Sequence, residues 1–151
     1  MYKTLTFLAT LCLAKFNSDA FKSMEEIAAE NGFISQSYTI TTSDGYALSL
    51  YRIPGTFTDY TSKKPAVLLM HAQDCDMMQW VWNNDQDAIA FILARAGYDV
   101  WMGNNRGSRF GMGHTSLNRH SKAFWEFYEE EMGTIDTPAF IDFILAKTGL
   151  E

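Results

Sequence analysis

The sequence predicts an α/β fold in which a β-hairpin precedes a βαβ unit and further helices. Two runs rich in β-branched and aromatic residues flank Asp44-Gly45, a hairpin signal whose turn needs positive φ. Two uninterrupted apolar runs, Ala66 to Met70 and Tyr98 to Met102, lack the alternation of a half-buried strand, so they read as strands covered on both faces of a parallel sheet. Between them Ile89, Ile92, Leu93 and Ala96 recur at helical spacing. Strand, helix, strand in that order is a βαβ unit, which nearly always crosses over right-handed.

Each element has a local reason. Residues 1–20 carry Lys3, then an apolar run from Leu5 to Ala14, then small residues suited to cleavage after Ala14 or Ala20, the layout of a secretory signal peptide. The run is far shorter than the roughly 20 residues that span a bilayer, so no transmembrane anchor is expected. Ser23 and Glu26 form a capping-box pair that opens a short helix, ended by Asn31 and Gly32. The hairpin strands are expected over Tyr38 to Thr42 and Tyr46 to Ile53, with Pro54 and Gly55 stopping the second. A polar loop runs to Lys64. After the first parallel strand comes a loop rich in Asp, Asn, Gln and Trp, and Gly97 sits where the βαβ helix must end. From Gly103 to Gly113 four glycines and two arginines mark a loop that approaches other backbone closely. Phe124, Phe127, Tyr128 and Met132 are expected on one helix face, and Ile141, Ile144, Leu145 and Thr148 on another. Thr137-Pro138 suits a helix start, with Thr134 as an earlier alternative, and Gly149 suits its end.

The chain of 151 residues is 47% hydrophobic and 15% aromatic, enough for a real core and unlike a disordered segment. With no repeat or linker, residues 21–151 read as one domain or part of one. Net charge is −6, and loss of residues 1–20, with two lysines and one aspartate, makes it −7. Such a surface repels phosphate backbones, so nucleic acid is excluded as a partner. Of the two cysteines, Cys12 falls in the leader, leaving Cys75 alone: a tolerated thiol, or one whose partner lies in other sequence.

His71-Ala72 follows an apolar strand at the carboxyl edge of the sheet, where α/β folds bind ligands. His71 alone is more simply a structural histidine than a base. Trp80, Trp82 and Trp101 could line an acyl pocket, against a default role in the core. Met77 and Met78 could offer apolar surface to lipid or simply fill gaps. His114 and His120, six apart, match no metal pattern, and neither a metal nor a cofactor is expected. Asn104, Asn105 and Arg106 could take an anion, but tying loops together is the simpler role. Glu129 to Glu131 reads as a solvated helix surface. An acyl hydrolase needs its nucleophile on a sharp strand-to-helix turn, typically G-x-S-x-G, and neither Ser108, Ser116 nor Ser121 has that setting.

The motif run Thr42-Ser43-Asp44-Gly45-Tyr46, Tyr51-Arg52-Ile53-Pro54, Pro65 to His71 and above all Ala96-Gly97-Tyr98-Asp99-Val100-Trp101-Met102-Gly103-Asn104-Asn105-Arg106-Gly107 resembles the acid lipase family. That family includes lysosomal and gastric lipases and the related steryl ester hydrolases. Similarity begins at the helix from Met24 to Asn31 and continues through Phe124-Trp125, Glu131-Met132, Asp136, Pro138-Ala139 and Lys147-Thr148-Gly149. The resemblance implies the N-terminal half of an α/β-hydrolase fold with an incomplete sheet. In the family order the strand Ala66 to Met70 lies between the fourth strand and a fifth, so here it would be a bare apolar edge.

The resemblance further implies that a G-H-S-x-G elbow, a cap, and the catalytic Asp and His would follow Gly149. The chain would then be truncated, with no catalytic residue of its own, and its parent activity would be hydrolysis of triglyceride or steryl esters. One family position carries over. The oxyanion loop, His-Gly-Leu in the family, reads His71-Ala72-Gln73, placing Gln73 where a backbone N–H meets the developing oxyanion. Ala72 replaces the glycine, and if that glycine needs positive φ the donor is misplaced. The expected partners are a lipid or ester surface and a missing C-terminal half. The expected location is the secretory pathway, extracellular or lysosomal. A non-catalytic lipid-binding or interaction module derived from a lipase is the alternative, and a half-enzyme completed by a separate serine-bearing chain is a third reading.

Overall fold

A computed structural model describes residues 21–83 and 87–150. The expected leader, with Cys12 and both candidate cleavage sites, lies outside the described residues. Helix α1 (Met24–Glu30) starts on a capping box: Ser23 Oγ accepts from the Glu26 N–H and Glu26 Oε2 accepts from the Ser23 N–H. Strands β1 (Phe33–Thr41) and β2 (Tyr46–Thr56) form the antiparallel hairpin across Asp44-Gly45, with Gly45 at φ +102°. Strand β3 (Ala66–Met70), helix α2 (Ile89–Arg95) and strand β4 (Asp99–Gly103) make the βαβ unit, β3 and β4 pairing in parallel. A short β5 (Gly113–His114) pairs with β2. The sheet order is β1-β2-β4-β3, and among the described residues the outer edge of β3 has no strand beside it.

Pro54 and Gly55 do not stop β2, which runs on to Thr56. Ser35 on β1 faces two residues, Ile53 and Pro54, because the register shifts between Ile34 and Gln36. A bulge tolerates proline, since its missing N–H falls where the ladder is already interrupted.

Two apolar layers cover the sheet. One packs α1, α2 and Met77, Met78 and Val81 against Phe33, Ile53, Val100 and Met102; the other packs Phe124, Phe140 and Ile144 against Leu48, Leu50 and Trp101. The face of α2 differs from expectation. Ala90, Phe91 and Ala94 are buried, whereas Ile89 and Ile92 are exposed. Two alanines let the helix approach the sheet closely, and Phe91 stacks on Phe33 with ring centroids 5.2 Å apart; this flat contact sets the rotation.

The helix expected from Phe124 to Met132 is not one helix. Lys122–Trp125 is a single 3₁₀ turn, Tyr128 is extended, and helical geometry begins at Glu129, where Glu131 accepts from the Tyr128 N–H. From there α3 (Glu129–Glu131), a π-helical stretch (Met132–Asp136) and α4 (Thr137–Thr148) follow without a break in right-handed backbone. Thr137-Pro138 is therefore an interior position. The wider π turn skips a backbone bond, which accommodates the proline, and Thr137 Oγ1 donates to the Met132 carbonyl. Phe140 and Ile144 turn inward while Ile141 stays exposed, and Gly149 closes α4 at φ +65°.

Candidate functional site

Parallel strands open their loops at their carboxyl ends, and here the loops after Met70 and Gly103 bound a groove of about 870 Å³. One wall is the β3 loop with Gln73, Asp74 and Cys75; the other carries Trp125, Phe127, Tyr128 and Met132. Trp82 and the Asn105–Arg109 segment complete it.

The β4 side is rigid because its polar groups are buried and paired. Asn104 is buried, its Oδ1 accepting from the Met77 N–H at 3.1 Å and its Nδ2 donating to the Ser49 carbonyl at 3.0 Å. Arg106 is 2% exposed. Its guanidinium binds Asp136 at 2.7 Å and Asp44 at 2.6 Å, and Asp136 also accepts from the Arg106 backbone N–H at 3.0 Å. The guanidinium carbon lies 4.1 Å over the Tyr46 ring. Burial alone would discourage its charge, but the hydrogen bonds it donates to Asp136 and Asp44 outweigh this and hold its pKa above the ordinary arginine value. Asp44 shows the converse: desolvation pushes its pKa up, while Arg106 and Thr42 push harder the other way and leave it lowered. The π-helical stretch turns Asp136 to face Arg106 inside the protein, so Arg106 joins the hairpin turn, the β4 loop and the last helical run.

His71 links the two loops. Its Nδ1 donates to the Ala72 carbonyl at 2.8 Å and its Nε2 accepts from the Asn105 N–H at 3.1 Å, which assigns the neutral Nδ1–H tautomer. With both ring nitrogens occupied, His71 orients the loop instead of serving as a base. Among the described residues the Gln73 backbone N–H has no hydrogen-bond partner. Ala72 does not adopt positive φ; that conformation falls on Asp74, at +58°. The Cys75 N–H closes the turn onto the Ala72 carbonyl, and Cys75 itself is an exposed free thiol on the groove.

Among the described residues no serine is paired as a nucleophile. Ser108 Oγ donates to the Asn105 carbonyl at 2.7 Å. Ser116 Oγ lies 3.5 Å from His114 Nδ1, but that nitrogen already accepts from the Ser116 and Leu117 N–H groups, and Nε2 faces the Asp44 carbonyl. His114 is thus a turn cap. Among the described residues no group of three His, Cys, Asp or Glu side chains is placed to hold a metal.

Of the residues singled out in the sequence, His71, Gln73 and Trp82 meet at the groove, while Trp80 and Trp101 do not line it. Trp101 is fully buried on the opposite face, stacked on Tyr38 and beneath Arg52. Trp80 packs against the α1/α2 layer. The aromatic wall was hidden by the expectation of one helix through Phe124 to Met132. Because Tyr128 is extended, Trp125 and Tyr128 swing outward, 46% and 75% exposed. The Asp44–Arg106–Asp136 cluster had only the glycine-bounded Arg106 as a sequence signal.

The doubly covered mixed sheet is an α/β-hydrolase fold, and solved structures share it. A hypothetical protein from Pseudomonas aeruginosa superposes with a TM-score of 0.54 at 15% identity, over 76% of this chain and 31% of that one. The Pyrococcus furiosus esterase Pf2001 gives 0.51 at 18% identity, over 78% and 38%. Residues 24–84 match the partial alpha/beta-hydrolase lipase region. In sequence, the chain is 39% identical to mouse lipase member N, over 96% of this chain and 40% of that protein. It is 44% identical to the human lysosomal acid lipase/cholesteryl ester hydrolase, over 85% and 33%. The chain belongs to the acid lipase family. It spans between a third and two-fifths of the length of these two relatives. Among the described residues no helix is long and apolar enough to cross a membrane.

Proposed function

We propose that this chain supplies the oxyanion loop and one substrate groove of an acid-lipase-type carboxylic ester hydrolase acting on triglycerides or steryl esters, and that these 151 residues do not hydrolyse esters by themselves. The observation that carries the reading is the Gln73 N–H, unpaired among the described residues, on a residue that lines a groove with an aromatic far wall. A developing oxyanion needs preorganised N–H donors, and an acyl chain needs apolar walls. The sequence contains no G-x-S-x-G; the Ser108 hydroxyl donates to the Asn105 carbonyl, and the His114 Nδ1 that lies 3.5 Å from Ser116 Oγ already accepts from two backbone N–H groups. Without an attacking atom, oxyanion stabilisation and binding leave only a small part of the rate. The apolar run from Leu5 to Ala14, laid out like a secretory signal peptide, supports a place in the secretory pathway, extracellular or lysosomal.

The test is turnover of a p-nitrophenyl ester by the purified secreted chain. No release above the uncatalysed rate is expected; release abolished by Ser108→Ala would overturn the reading. The exposed aromatic wall also favours a second one, a non-catalytic lipid-binding module. Saturable quenching of Trp82 and Trp125 fluorescence by a fatty acid, without ester turnover, supports that module, and no quenching removes it.

A further inference from the structure

At the other end of the parallel strands, roughly 16 Å from the groove for five residues at the usual rise, lies a smaller cavity of about 160 Å³. It is lined by four cations, Arg52, Lys63, Lys64 and Lys147, with hydroxyl groups from Tyr60 and Thr61. The carboxylates at hand are Asp99, which lines it, and Asp59, which binds Lys64. Among the described residues four cations thus face two carboxylates, a local excess of positive charge in a chain whose net charge is −6.

These cations are not equivalent. Arg52 is fixed by a bidentate pair with Asp99, 2.8 Å on both arms, and by its place 4.7 Å over the Trp101 ring. Lys64 donates to the Pro54 and Asp59 carbonyls and shapes the loop. Lys63 has no carboxylate partner among the described residues, and Lys147 has only the face of Tyr38, 5.3 Å away. Two of the lining cations are thus anchored, and the other two, Lys63 and Lys147, keep donors to spare.

The geometry points to a binding site for a phosphate monoester. The volume suits one tetrahedral oxyanion, and the local excess of positive charge suits the dianion that a monoester approaches near neutral pH. Lysine binds phosphate as a point charge and needs no planar fork, which suits Lys63 and Lys147. Tyr60, which lines the cavity, is 43% exposed, and Phe57, three residues earlier in the chain, is 56% exposed. They give the site a place to rest on a lipid surface when the ester is a phospholipid headgroup. This inference does not depend on the ester-hydrolase reading.

The experiment is an amide NMR titration of the secreted chain with inorganic phosphate, against sodium chloride at matched ionic strength. Saturable shifts at Thr61, Lys63 and Thr148 are expected. Lys63→Glu with Lys147→Glu should weaken the affinity by at least about tenfold, as reversing two near charges requires, while Lys63→Arg with Lys147→Arg retains it. If the double reversal does not fold, Lys63→Gln alone, at an exposed side chain, must still weaken binding. A second arm measures sedimentation with phosphatidylcholine vesicles containing phosphatidate. Co-sedimentation lost in Phe57→Ser assigns the lipid source, and phosphate binding without co-sedimentation assigns a soluble monoester; both uphold the site. Shifts no larger than chloride produces, or equal affinity in parent and reversal variants, would overturn it.

Discussion

After β4 the chain is bolted to several other elements, whereas after β3 it is held by one histidine. Asn104 ties the β4 loop to β2 and to the turn at Met77; Arg106 ties it to the hairpin turn and to the π-helical stretch. The β3 loop from Ala72 to Cys75 is exposed, with a single turn bond and His71 behind it. The motif-rich loop is therefore scaffold, and the loop that presents the N–H donor is thin.

The largest expected effect comes from breaking the scaffold. Asp136→Asn removes the charge that faces Arg106 and leaves a buried guanidinium short of one partner. Loss of one member of a buried ion pair costs about 3–5 kcal/mol, and the side chains here are 0% and 1% exposed. Urea unfolding should report a loss in that range; a loss below about 1 kcal/mol would mean that the pair behaves like a surface bridge. The equivalent cut on the β3 side, His71→Phe, removes only neutral hydrogen bonds and should cost about 1 kcal/mol.

Gly107→Ala comes next and links the scaffold to the groove. Gly107 sits at φ +79°, and a Cβ there would meet Phe127 Cζ at 2.8 Å. Left-handed backbone costs a non-glycine residue about 1–2 kcal/mol, and the displaced Phe127 should move the aromatic wall. The check is a lower unfolding midpoint together with a shift in tryptophan emission from Trp125.

What could be read from the chain divides along the same line. The hairpin turn, the βαβ unit, the Ser23–Glu26 cap and the Gly149 stop rest on local patterns and appear where those patterns put them, although β1 begins at Phe33, five residues before the expected Tyr38, and β2 runs past Ile53. Misplaced features depended on tertiary partners. Phe91, not Ile89 or Ile92, faces the core because Phe33 waits opposite. Pro54 continues a strand because β1 is one residue short there. Thr137-Pro138 looks like a helix start because a π turn is invisible to 3.6-residue periodicity. Trp80 and Trp101 drew notice as large aromatics, but which face of the sheet a tryptophan meets depends on strand register. The wall at Trp125 and Tyr128 depended on an extended residue inside a segment whose spacing suggested helix.

Protonation gives a smaller effect. Asp44 has a lowered pKa in the fold, so its stabilising contribution is present above the unfolded carboxylate value near pH 4 and is lost as pH falls through the lower folded value. Its side chain is 35% exposed, and solvent screening keeps the contribution under about 1 kcal/mol. Asp44→Asn should therefore be less stable than the parent at pH 7, with the gap closing in acid. A gap that widened in acid would show that Arg106 does not stabilise the ionised form.

The smallest effect separates the two residues of the β3 loop that glycine could replace. Family resemblance draws attention to Ala72, but positive φ falls on Asp74. Asp74→Gly relieves that conformation at the cost of a freer unfolded chain, for a net gain of up to about 1 kcal/mol. Ala72→Gly adds the unfolded-state entropy with nothing to relieve, so it lowers stability by about 0.5–1 kcal/mol. Thermal unfolding of the two single variants decides the matter. If Ala72→Gly is the stabilising change, the strain lies one residue before Gln73, and the β3 loop does not hold the conformation in which positive φ falls on Asp74.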